Sequence, residues 1–184
     1  MRTAEGEMAE FAHLRDLELS QQGYMDIITG KTAWMLRASC ELGALLSGAA
    51  EPLLQAAAVF GLELGIAFQM VDDALDFSPA EDTGKPTGGD VREGKITPPL
   101  LLYIAALPEP EAARFKQRFR DNDFAPAELD ELNAAIYAQG YAQRTREMAD
   151  NRLALAGAAL GLLPDSKERA VLRQMMGYIQ NRDR

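Results

Sequence analysis

Four polar side chains, Gln69, Asp72, Asp73 and Asp76, close the most apolar stretch of the chain, Gly65-Ile66-Ala67-Phe68-Gln69-Met70-Val71-Asp72-Asp73-Ala74-Leu75-Asp76-Phe77. On a helix, positions 69, 72 and 76 share one face, and the Cβ atoms of Asp72 and Asp76 stand roughly 5–6 Å apart. Two carboxylates at that spacing repel each other, the more so at a helix C-terminus, where the dipole is already negative. A cation relieves the repulsion, and oxygen donors without His or Cys suit Mg²⁺, Mn²⁺ or Ca²⁺. The competing reading is a solvated acidic helix end. Against it stand the run from Ala56 to Val71, interrupted only by Glu63 and Gln69, and the lysines that follow.

Those lysines lie in Gly84-Lys85-Pro86-Thr87-Gly88-Gly89-Asp90-Val91-Arg92-Glu93-Gly94-Lys95-Ile96-Thr97-Pro98-Pro99. Glycines let backbone approach a ligand closely, and Lys85 and Lys95 are point charges suited to diphosphate. Gly89 to Lys95 also fits the opening of a nucleotide P-loop. Ile96 stands where Ser or Thr is required, no apolar strand precedes it, and Asp90 and Glu93 would face the phosphates, so that reading fails. A third group, Gly30-Lys31-Thr32, sits inside a helical pattern. It reads either as a tolerated irregularity with a lysine reaching to solvent, or as a kink that aims Lys31 and Thr32 inward; periodicity does not choose between them.

The elements that must position these residues are helices. Nothing alternates with period two for long enough to argue a strand. A long helix is expected from Ser20, its N-cap, to Leu46, with Gly48 as a stop, and a second from Glu51 to Phe77 with Pro52 in its first turn. The second is apolar almost all round and reads as a buried central helix; acidic residues interrupt it before a membrane span is complete. Ser78 to Pro99 reads as one long loop. Helical patterns then run over 100–107, 111–120, 128–139, 141–163 and 165–182, punctuated by Pro108, Pro110, Pro126, Gly140 and Pro164.

Composition excludes several function classes. The chain has 184 residues, 47% hydrophobic and 26% charged, the balance of an ordinary globular domain. A net charge of −9 disfavours nucleic acid and anionic lipid as partners. The single Cys40 forms no internal disulfide and points to a reducing, cytoplasmic compartment. The single His13, read as a helix-surface residue, excludes HExxH and two-His zinc sites. Arg2, Glu5 and Glu7, with no apolar run behind them, argue against a signal peptide.

Phe68-Gln69-x-x-Asp72-Asp73-x-x-Asp76, then Gly84-Lys85, then Gly89-Asp90-x-x-Glu93-Gly94-Lys95-x-Thr97-x-Pro99, resembles the C-terminal half of the trans-polyprenyl diphosphate synthases. Glu5-Gly6-Glu7, Tyr24-x-x-x-Ile28-x-x-Lys31-Thr32-Ala33 and the ending Gln180-Asn181-Arg182-Asp183-Arg184 are similar to that family too, closest to its octaprenyl-type branch.

The resemblance implies an all-α helical bundle of the isoprenoid synthase type, one partial domain over residues 1–184 lacking the N-terminal helices. It implies a prenyltransferase that joins isopentenyl diphosphate to an allylic prenyl diphosphate with Mg²⁺ or Mn²⁺. Asp72, Asp73 and Asp76 would hold the metal. Lys31, Thr32, Gln69, Lys85 and Lys95 would bind the allylic diphosphate, with Lys31, Asp72 and Lys85 catalytic. The family's first aspartate-rich motif, its arginine pair and its isopentenyl site match nothing here. Glu10 stands where the family often has Gln, and Pro98 where it often has Leu. Two readings follow. The chain is the C-terminal part of a synthase, weak or inactive alone, working as a homodimer or with a chain that supplies the N-terminal half. Alternatively it is a non-catalytic partner that binds metal-diphosphate or a prenyl synthase.

Overall fold

A computed structural model describes residues 2–79 and 88–182. Among them are ten α-helices and no strand. The helices are α1 (Arg2–Ala12), α2 (Gln21–Ile28), α3 (Trp34–Leu46), α4 (Glu51–Leu75), α5 (Gly89–Glu93), α6 (Pro98–Ala106), α7 (Glu109–Arg120), α8 (Pro126–Ala138), α9 (Tyr141–Gly161) and α10 (Lys167–Gln180). The all-α expectation holds. Lys85 and most of the first half of the expected Ser78–Pro99 loop lie outside the described residues. The second half of that loop is not irregular, since it contains α5 and the start of α6.

The centre of the bundle is α4, with α3 along one flank and α9 along the other. Its inward residues include Phe60, Leu64, Ala67, Met70 and Val71, all nearly free of solvent. Each large side chain so buried contributes about 1.5–3 kcal/mol. α4 alone among the described helices is long and apolar enough to cross a membrane, and 67% of that stretch is buried inside the fold, as a core helix requires. It ends at Leu75, two residues short of the expected end. Phe77 and Ser78 donate their backbone N–H groups to Ala74 and Leu75, a tighter turn that sends Phe77 into the core at 1% exposure.

The expected helix from Ser20 to Leu46 is continuous but not uniform. Ser20 caps it, its hydroxyl accepting from Gly23 N–H at 3.0 Å. Between α2 and α3, Thr29–Ala33 forms a π-helical turn. Such a turn inserts one extra residue and re-aims the side chains around it. Two close approaches clamp it. A Cβ added at Gly6 of α1 would fall 2.2 Å from the backbone N of Lys31, and one at Gly65 of α4 would fall 2.6 Å from Cα of Ala33. The π turn is thus held between the backbones of α1 and α4, which glycine alone permits.

This packing makes a direct prediction. Gly65→Ala should destabilise the chain by about 1–3 kcal/mol in urea unfolding followed by helical circular dichroism. Gly43→Ala, where nothing lies within 4 Å of the added carbon, should be neutral or gain up to about 1 kcal/mol. Equal effects at the two positions would contradict the clamp.

Candidate active site

The three aspartates of α4 part company in the fold. Asp73 turns inward and is 5% exposed. Tyr24 of α2 donates its phenol hydroxyl to Asp73 Oδ2 at 2.5 Å, and Gln69 donates Nε2 to Asp73 Oδ1 at 2.9 Å. Gln69 Oε1 accepts from Thr32 Oγ1 at 2.8 Å. When Asp73 is ionised it only accepts, which suits an amide with its nitrogen toward Asp73 and its oxygen toward Thr32. The chain Tyr24–Asp73–Gln69–Thr32 thereby ties α2, the π turn and α4 together at one end of the bundle.

Burial dominates the acidity of Asp73 and pushes its pKa up to about 7, although the bonds from Tyr24 and Gln69 pull the other way and Asp90 and Asp72 add repulsion. Tyr24 is raised well above the ordinary phenol range, first by its own burial and then by Asp73.

Asp76 does something different. Its two oxygens accept the backbone N–H groups of Gly89, at 3.2 Å, and Asp90, at 2.8 Å, so it caps α5. Gly88 and Gly94 flank α5 with φ of +75° and +82°, a left-handed conformation that glycine adopts without strain. Asp90 accepts from Lys95 Nζ at 3.0 Å, and Lys95 also pairs with Glu93 at 2.8 Å. Burial opposes the charge on Lys95, yet these two carboxylates prevail and raise its pKa. Burial also raises the pKa of Asp90, with Asp76 adding to it.

Asp72 remains outward, with 49% of its side chain exposed, and meets Arg182 Nη1 at 3.1 Å. The Arg182 guanidinium stands 5.4 Å from the centre of the Phe68 ring, so the turn that follows α10 is laid over the end of α4.

Lys31, on the π turn, reaches both oxygens of Glu10, at 2.9 and 2.8 Å. It lines a cavity of about 500 Å³ with Lys95, Glu7, Glu10, Glu93, Phe11 and Leu14. The fold therefore gathers Lys31 and Lys95 at one cavity and joins Thr32, Gln69 and Asp73 in one hydrogen-bonded chain. Lys85 lies outside the described residues.

The three aspartates expected to hold a metal occupy three different settings, Asp73 buried, Asp76 capping α5 and Asp72 half exposed. Among the described residues, no group of three or more His, Cys, Asp or Glu side chains is arranged to hold a metal. The physical reason is angular: residue 73 is turned about 100° from residue 72 around the helix, which carries it to the buried side. Mg²⁺ nonetheless needs only one or two carboxylates, the rest being water and phosphate oxygen. Asp72, half exposed, and Asp76, one turn on, are oxygen donors of the kind that requirement calls for, while Asp73 is buried and bonded to Tyr24 and Gln69.

Sequence reasoning named Tyr24 and Arg182 only within stretches similar to the family and gave neither a place in the site; the position of Arg182 over Asp72 leaves no local pattern. Glu10 stood out only as a departure from the family.

The folded pKa of Asp73 lies above its ordinary value of 3.8. The protonated form therefore favours folding, and this stabilisation is lost as pH rises from about 4 through about 7. In metal-free buffer Tyr24→Phe removes one donor to the carboxylate. It should cost about 1–3 kcal/mol at pH 8 and distinctly less at pH 5, read by urea unfolding. A pH-independent cost would contradict this assignment.

Comparison with known proteins completes the description. Residues 1–136 match the family model for polyprenyl synthetase. The chain is 32% identical over 182 residues to octaprenyl diphosphate synthase of Escherichia coli, covering 98% of this chain and 56% of that protein. It is 35% identical over 161 residues to heptaprenyl diphosphate synthase component 2 of Geobacillus stearothermophilus, covering 87% and 49%. The crystal structure of a decaprenyl diphosphate synthase from Rhodobacter capsulatus superposes with a TM-score of 0.91 at 35% identity, over 100% of this chain and 57% of that one. A polyprenyl synthase from Caulobacter crescentus, solved with calcium and isoprenyl diphosphate, gives 0.90 at 35% identity over 100% and 56%. The chain spans about half the length of these four relatives. With its fold and motifs in agreement, it belongs to the polyprenyl synthetase family.

Proposed function

We propose that this chain supplies the allylic-diphosphate half of a trans-prenyltransferase site. In that reaction the allylic C–O bond breaks and its electron pair leaves with diphosphate. The double bond of isopentenyl diphosphate then attacks the allylic carbon, and a proton is lost. The first step needs positive charge held where the diphosphate departs. Lys31, set by the π turn, supplies fixed charge, and Lys95 and Lys85 add to it. A divalent cation, Mg²⁺ or Mn²⁺, carried at Asp72 and Asp76, would supply the remainder when bound. Thr32 and Gln69 satisfy each other, so they hold the binding surface in shape while Lys31 meets the ligand. Asp73 anchors Gln69 from behind. The apolar faces of α3 and α4 would line the path of the growing chain.

The observation that carries this reading is the Tyr24–Asp73–Gln69–Thr32 chain. It joins the basic turn to the acidic helix end, which a merely solvated cluster would not require. Calorimetry with inorganic pyrophosphate and Mg²⁺ tests it. Asp72→Ala should weaken Mg²⁺-dependent binding by roughly tenfold or more, since loss of a ligand costs at least as much as loss of its support. Unchanged binding would return Asp72 to the role of a solvated helix end.

A second reading, assembly with a chain that supplies the rest of the site, is favoured by a specific surface. Met35, Leu42, Leu45 and Leu46 of α3 are 54–79% exposed, and Phe11 of α1 is 77% exposed. One relative is itself named as a component of its synthase. Surface of this kind marks a contact site. The chain alone should show little condensation activity and should self-associate in light scattering; a monodisperse monomer with robust turnover would overturn both expectations.

A further inference from the structure

The cavity that holds Lys31 carries more acid than base. Glu7, Glu10 and Glu93 face Lys31 and Lys95 across about 500 Å³. Lys95 is already engaged by Asp90 and Glu93. Lys31 is engaged by Glu10 through both carboxylate oxygens, with side chains 21% and 24% exposed. A pair this far withdrawn from water is screened less than a surface pair.

The position of Glu10 is not incidental. It lies four residues after Gly6, on the same face of α1. Gly6 is the residue whose backbone rests against the backbone of Lys31. The close approach that shapes the π turn therefore also delivers the Glu10 carboxylate to the Lys31 ammonium. Two anionic oxygens about 2.8–2.9 Å from Nζ occupy the place that two oxygens of a phosphate group would take.

We propose that Glu10 is an internal competitor for the diphosphate, holding Lys31 until ligand displaces it, and so a residue that sets the affinity of this site. The inference rests on the reading of Lys31 given under the proposed function. Diphosphate binding breaks the Glu10–Lys31 pair and leaves Glu10 partly buried beside a second anion. Pyrophosphate alone therefore binds poorly, and a divalent cation arriving with it supplies the missing charge. Removing the charge of Glu10 tightens binding and makes it less dependent on metal.

The test uses the 184-residue chain, inorganic pyrophosphate and Mg²⁺, with affinity measured by calorimetry at two Mg²⁺ concentrations. Glu10→Gln keeps the size and the acceptor oxygen of the side chain. It should bind pyrophosphate about tenfold more tightly than the parent, with the larger gain at low Mg²⁺. Lys31→Met should bind weakly whether or not Glu10 is present. A binding-independent readout accompanies these: competitive acetylation followed by peptide mass spectrometry, with the exposed Lys167 as internal reference. Lys31 should be acetylated several-fold faster in Glu10→Gln than in the parent. If Lys31→Met weakens binding but Glu10→Gln leaves affinity and acetylation unchanged, the competition is refuted while the functional reading stands. Weaker binding in Glu10→Gln would make Glu10 a contributor rather than a competitor, and would also refute it. If affinity does not depend on Lys31 at all, the functional reading fails and the competition with it.

Discussion

The contact on which the structure turns is one of backbone against backbone. α1 and α4 both press on the turn between α2 and α3, and they do so at Gly6 and Gly65, where a methyl group would lie 2.2 Å from Lys31 N and 2.6 Å from Ala33 Cα. A regular helix offers side chains to its neighbours at such distances. A turn widened by one residue, with Gly30 within it, offers main chain instead. The widened turn sets the direction of Lys31 toward Glu10 of α1 and of Thr32 toward Gln69 of α4, so the ion pair and the hydrogen-bonded chain built on those side chains both depend on it.

The charges are then matched pair by pair. Lys31 meets Glu10, Lys95 meets Asp90 and Glu93, and Asp72 meets Arg182. Asp76 is satisfied by backbone N–H groups and Asp73 by Tyr24 and Gln69. A chain of net charge −9 thus presents a site whose described charges are largely balanced without ligand. Under the proposed function, ligand binding at such a site would be exchange: a cation would compete with Arg182 for Asp72, an anion would compete with Glu10 for Lys31, and each exchange would leave a charge for the other ligand to neutralise, coupling the two energetically.

Much of this was legible in the sequence, because the signals were local. Helical spacing located the long helices, Ser20 capped where its side chain foretold, and the unbroken apolar run marked α4 as the core. The spacing of Gln69, Asp72, Asp73 and Asp76 with the Gly- and Lys-rich segment pointed to the family. What escaped was angular or distant. The spacing of the three carboxylates does not reveal their separate settings, because a helix turns adjacent residues about 100° apart and Asp73 falls on the buried side. Helix α5 hid in a segment whose glycines resembled loop, though two of them bound the helix in left-handed conformation. The Glu10–Lys31 and Asp72–Arg182 pairs join residues 21 and 110 positions apart, beyond the reach of any periodicity.

The central claim is that one ligand lies between the π turn and the acidic end of α4. It is tested most directly by a crystal structure of the chain grown with pyrophosphate and Mg²⁺. The account predicts diphosphate density at Lys31 with Glu10 moved away, and a cation at Asp72 with Arg182 released. Density elsewhere, with the Glu10–Lys31 and Asp72–Arg182 pairs intact, would contradict it.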